Sequence, residues 1–147
     1  MTAAAAAAVA PDKAAFSQRI VALEAAADWI GLAMAFEAAP AGLRTHRSIL
    51  AYVYAAVALG DAGRIEQATL IAVKTRLSRR DRVVAARRLA GAGHGTPALA
   101  TLIADPDIFR DDGVLTPLGP TLRLVQGALT DQVLKTALQT VWRRFAN

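Results

Sequence analysis

Alanine fills 35 of the 147 positions of this chain. It is the best intrinsic helix former and a poor strand former, so a chain this rich in it is expected to be all-helical. The length suits one compact domain, or a run of small repeats, with room for a real core. Cysteine is absent, which removes disulfides, thiol catalysis, iron–sulfur clusters and thiolate zinc sites together.

The N-terminus, Met1 to Ala10, lacks the basic region and cleavage-site layout of a secretory signal. Ala3 to Ala8, followed by Pro11, reads as a disordered, alanine-rich lead-in over residues 1–13, ahead of a single helical domain over 14–147. The most apolar window, Ile49 to Leu59, is far shorter than the ~20 residues a spanning helix needs. The longer apolar stretch 14–39 is interrupted by Arg19, Glu24, Asp28 and Glu37. A soluble, cytoplasmic protein is the expectation.

Helix boundaries are well marked. The segment Ala14 to Ala38 must break at Pro40-Ala41-Gly42, and Asp28 and Gly31 inside it leave open one long helix or two. A second segment runs from Thr45 to Leu59 and stops at Gly60-Asp61-Ala62-Gly63, where two glycines can take left-handed conformations. A helix from Arg64 to Leu77 follows. Ser78 and Asp81 have the spacing of a capping box for the next one, which ends in Gly91-Ala92-Gly93-His94-Gly95. Thr96-Pro97 and Thr116-Pro117 are helix starts with an N-cap threonine and proline at the first position. Residues 108–116, turning at Asp112-Gly113, form the one plausible β-hairpin. The last helix, Asp131 to Phe145, has Val133, Leu134, Ala137, Leu138, Val141, Trp142 and Phe145 on one stripe, which is expected to close the core. The expectation is about seven helices in antiparallel hairpins, with one short β-hairpin.

A possible repeat runs through the middle. Ala68-Thr69-Leu70-Ile71-Ala72 recurs as Ala100-Thr101-Leu102-Ile103-Ala104, and Gly63 maps onto Gly95 at the same offset. That period suits a helix–turn–helix solenoid unit. The stretch Tyr52 to Ala72 resembles a tetratricopeptide repeat: Tyr52 stands at the large aromatic position and Ala56 at the small one of the first helix. Leu59 stands at the later bulky position, Gly63 in the turn and Ala68 at the small position of the second helix. The resemblance, strongest over 48–76, implies a helical-repeat fold that binds another protein or peptide along a concave face, without catalysis.

Charge is concentrated rather than spread. Net charge is +5, yet from Lys74 to Arg88 seven basic residues face the single acid Asp81. Arg76, Arg79, Arg80, Arg82, Arg87 and Arg88 in this basic patch are candidate partner-binding residues, together with Tyr52 and Tyr54, which with Trp29 either line a groove for a peptide or, as aromatics at helical spacing more often do, belong to the core. A plain alternative is a solvated face, or one paired internally with the acidic stretch Asp105 to Asp112. Another is nucleic acid, since arginines that neutralise phosphates bind with steep salt dependence. Segment 82–119 follows the element order of bacterial winged-helix regulators, which it resembles around Asp112 to Gly119. Its second helix, Pro97 to Ala104, nevertheless has no arginine, lysine, asparagine or glutamine to read base edges.

Catalytic signals are weak. His46 and His94 both stand beside turns with no recognisable partner, and no zinc-protease, nucleophile-elbow or phosphate-loop pattern occurs. Asp105, Asp107, Asp111 and Asp112 lack the ligand spacing of a calcium loop. The expected function is therefore a non-enzymatic adaptor, chaperone or assembly factor that grips an acidic protein or peptide, with no cofactor and no metal. Nucleic-acid binding is the alternative.

Overall fold

A computed structural model describes the backbone of residues 3–108 and 118–146 and the side chains of residues 13–108 and 118–140. Among the described residues the chain is all-helical, with no strand. Helices α1 (Ala3–Ala25) and α2 (Trp29–Ala38) are followed by a 3-10 turn at Ala41–Leu43, then α3 (His46–Leu59) and α4 (Ala62–Lys74). The chain continues through α5 (Arg79–Gly91), α6 (Gly95–Ile103), α7 (Leu118–Ala128) and α8 (Gln132–Ala146). None of the described helices is long and apolar enough to cross a membrane.

Among the described residues there are eight helices against the about seven expected, and stretch 14–39, left open as one helix or two, is two. Ala27 takes a left-handed φ of 54°, and the Asp28 carboxylate accepts from the Gly31 amide at 2.9 Å, capping α2. α1 as bounded begins at Ala3, inside the stretch expected to be a lead-in. The Thr45 hydroxyl caps α3 in a reciprocal box with Ser48, and Gly60, at φ 63°, ends it. Gly63 is not a turn residue: α4 already begins at Ala62, behind the Asp61 cap. Thr96 is not an N-cap either, since α6 starts at Gly95 and Pro97 falls two residues inside it, within the first turn where no intrahelical donor is lost. At α8 the cap is one residue later than expected, Asp131 accepting from the Leu134 amide at 3.1 Å.

The hairpin expected at 108–116 lies outside the described residues except for Ile108, which is fully buried and in a turn. Of the α8 stripe expected to close the core, Leu138 alone is buried among the described side chains, Val133, Leu134 and Ala137 being exposed, while Val141, Trp142 and Phe145 have no described side chains.

Consecutive helices pack on one another, α1 on α2, α2 on α3, α3 on α4, α5 on α6, α6 on α7 and α7 on α8. Helix α3 also packs on α5, α5 on α7, and α4 on α6. Small residues make these approaches close: Ala51, Ala55, Ala56, Ala68, Ala85, Ala86 and Ala98 are all buried. At the α6–α7 crossing Gly95 leaves no room for a side chain, because a Cβ there would stand 2.5 Å from the Ala128 carbonyl carbon. The core is one cluster running from Phe16 in α1 to Leu138 in α8. Thr69 and Thr101, which correspond in the repeated pentapeptide, are both buried and both donate to the carbonyl four residues back. The matching leucines differ: Leu70 is exposed while Leu102 is buried.

Candidate functional site

Helix α5 divides the arginine cluster by geometry. Val83, Ala86, Leu89 and Ala90 face the core. Arg80, Val84, Arg87, Arg88 and Gly91 recur at three- and four-residue spacing, so they share the opposite face. Both Arg87 and Arg88 are exposed, and Val84 is partly so. Among the described residues no carboxylate forms an ion pair with Arg80, Arg87 or Arg88.

Arg88 is held in place without an acid. Its guanidinium carbon sits 3.7 Å from the centre of the Tyr54 ring on α3, and Tyr54 in turn lies against Trp29 of α2, ring centres 4.7 Å apart. The ring's negative face attracts the cation, while a guanidinium stacked this way keeps its N–H edges open to an acceptor in its own plane. A hollow of about 360 Å³ lies between α3 and α5, with Tyr54, Val57, Ala58 and Gly91 around Arg87 and Arg88. A second, of about 380 Å³, lies between α5 and α7, where Val84 and Leu124 flank the same two arginines. Leu124 is 44% exposed.

Not all the expected residues belong here. Arg82 is buried, and its guanidinium donates to the carbonyls of Ala72 at 3.0 Å, Thr75 at 2.6 Å and Thr101 at 3.2 Å. Those carbonyls end α4 and α6, so one cation gathers acceptors at two negative helix termini. Burial lowers its pKa, with Asp105 acting in the opposite direction. Arg82 is a joint of the fold and unavailable to a partner. Arg79 donates to the Asp107 carbonyl at 2.8 Å, tying the start of α5 to the loop after α6; to that extent the cluster is used internally. Arg76 is exposed in the loop before α5.

Tyr52 is also removed from any groove. It is fully buried, stacked on Phe36 with ring centres 4.2 Å apart, and Arg44 covers the other end of this group at 4.5 Å from the Phe36 ring. The Tyr52 hydroxyl donates to Glu37 at 2.6 Å. Arg64 grips the same carboxylate with two bonds, at 2.8 and 3.1 Å, and reaches Asp61 at 3.3 Å. The bond from Arg64 holds the Glu37 carboxyl below its usual range, assisted by Tyr52 and opposed by burial. Burial first, and then the bond to Glu37, pushes the Tyr52 phenol up. Sequence reasoning missed this cluster because its members come from three helices and have no local spacing signal.

A third groove, between α4 and α6, is lined by Ile65, Thr69, Leu70, His94, Pro97 and Ala100. His94 and His46 have no acid–base partner among the described residues, and no group of three or more histidine or acidic side chains there could hold a metal ion. Helix α6, which a winged-helix protein would insert into DNA, packs on α4, α5 and α7 and buries Ala98, Leu99, Thr101 and Leu102. No family model, curated protein or solved structure matches this chain.

Proposed function

We propose that this chain is a non-enzymatic interaction module of the adaptor, chaperone or assembly-factor kind, binding an acidic protein on the face made by α3, α5 and α7. The observation that carries the reading is Arg88 stacked on Tyr54 beside Arg87, between two hollows edged by Val57, Val84 and Leu124. Charge brings the acidic partner in and orients it, while apolar burial in the hollows holds it. In this reading the partner uses the α3–α5–α7 face rather than a concave groove built on Tyr52, and the reading does not rest on the resemblance to tetratricopeptide repeats. Sequence-specific reading of bases by α6 is disfavoured because that helix has no arginine, lysine, asparagine or glutamine; binding of phosphate by the arginines is the competing outcome of the test.

The test is affinity capture from the native host with wild-type protein and with an R80E/R87E/R88E variant, each with and without nuclease. A stoichiometric protein that survives nuclease and is lost with the variant supports the proposal. Heterogeneous nucleic acid, lost with nuclease and with the variant, overturns it in favour of phosphate binding.

A further inference from the structure

Building on that reading, we infer that the acidic partner presents an amphipathic α-helix whose face has apolar side chains seven residues apart, with glutamate or aspartate between them. The argument begins with the two hollows. They lie on either side of α5, one against α3 and one against α7, and share Arg87 and Arg88 as their common wall. Packed helices are separated by about 8–10 Å, so the hollows are about one helix width apart. A ligand that fills both must place two apolar groups at that separation, with an anion above the ridge between them.

A helix meets this requirement. Residues i and i+7 lie on the same face and about 10 Å apart, and i+3 and i+4 fall between them on that face. An extended strand does not: three residues also cover about 10 Å, but residues i and i+3 point to opposite sides of the strand. Arg88, held over Tyr54 at 3.7 Å, offers a planar fork of donors that matches a carboxylate two-to-two, as it would a phosphate, and on a helix the acidic side chain at i+3 or i+4 supplies that carboxylate. Arg87 lines both hollows from the adjacent position and supplies a second cation for a second acid. Exposed Leu124 and Val84 at one end, and Val57 and Ala58 at the other, are apolar counterparts for the flanking residues. The bound helix crosses α5 rather than running along it.

The full chain would be titrated, by fluorescence anisotropy, with three alanine-based helical peptides of equal charge. The first has leucines seven residues apart around a Glu-Glu pair; in the second the leucines are three apart; in the third both are alanine. The inference predicts that the first binds at least about tenfold more tightly than the other two, the scale of losing one buried leucine contact. It also predicts that Leu124→Ser, a change on an exposed side chain, removes most of that preference. Equal binding of all three, abolished by R87E/R88E, would overturn the spacing while leaving the acidic-partner reading in place. Binding that ignores R87E/R88E, or none by any peptide to a folded chain, would overturn both.

Discussion

Replacing Arg82 by methionine separates the two fates that the arginines of this cluster can have. The substitution removes three hydrogen bonds from a cation, to Ala72, Thr75 and Thr101 at 3.0, 2.6 and 3.2 Å. A bond to a charged group contributes about 1.5–3 kcal/mol, so three of them come to a gross loss of about 4.5–9 kcal/mol. Against it stands the desolvation of a buried guanidinium, several kcal/mol that methionine does not incur. Methionine also keeps much of the packing of the arginine stem. The net expectation is a destabilisation of about 2–4 kcal/mol, or about 10 °C in melting temperature for a domain of this size. Arg82→Lys keeps the charge but has no fork to reach three carbonyls, and should fall between wild type and methionine. The assay is thermal and urea unfolding followed by circular dichroism at 222 nm. A methionine variant that melts within about 2 °C of wild type, or one that loses a partner while its stability is unchanged, would refute the joint between α4, α5 and α6.

Three further outcomes follow from the same geometry. Gly95→Ala should destabilise by about 1–3 kcal/mol, because its Cβ would meet the backbone of Ala128 and Leu129 at 2.5–2.6 Å; urea midpoints measure it, and an unchanged midpoint would deny the α6–α7 crossing. Asp28→Ala should cost about 1 kcal/mol through the lost cap of α2, seen in the same assay as a lower midpoint with an unchanged slope. Stability should be limited at both ends of the pH scale by the Glu37 cluster. Glu37, held below its usual range in the fold, contributes stability that is present above the ordinary glutamate value near ~4.3 and lost as pH falls below it. Tyr52, pushed up in the fold, makes stability decline as pH rises past about 10, where the unfolded phenol ionises first. Glu37→Gln should flatten the acid limb in a series of urea melts; an unaltered limb would place acid sensitivity elsewhere.

Much of the fold was legible in local chemistry. Alanine content and the punctuation at Thr45, Gly60 and Ser78 mark helices whose ends the structure places within a residue or two, because caps act through bonds of three-residue reach. Thr96 and Gly63 misled for a related reason. Both are good terminus residues, but residue type alone does not say which turn a helix starts in: α6 begins at Gly95, packed against Ala128, and α4 at Ala62, behind the Asp61 cap. The site was legible only in part. The α5 periodicity places Arg80, Arg87 and Arg88 opposite Val83, Ala86 and Leu89, and the structure has them there. Periodicity does set Arg82 apart, since it stands four and seven residues before Ala86 and Leu89 on the core face, but what it bonds there depends on the ends of α4 and α6 meeting beside it. Tyr52 and Tyr54, two residues apart on α3, part ways similarly: one points into the core against Phe36, the other outward beneath Arg88.

The most direct test of the central claim, that the α3–α5–α7 face is where a partner binds, is chemical-shift mapping. Isotope-labelled full-length protein would be titrated with an acidic amphipathic helical peptide and its amide resonances followed. The predicted result is a contiguous set of perturbations at Tyr54, Val57, Val84, Arg87, Arg88 and Leu124 that fades when Arg87 and Arg88 are changed to glutamate. Perturbations centred instead on Ile65, Leu70, His94 and Pro97, in the groove between α4 and α6, would contradict it.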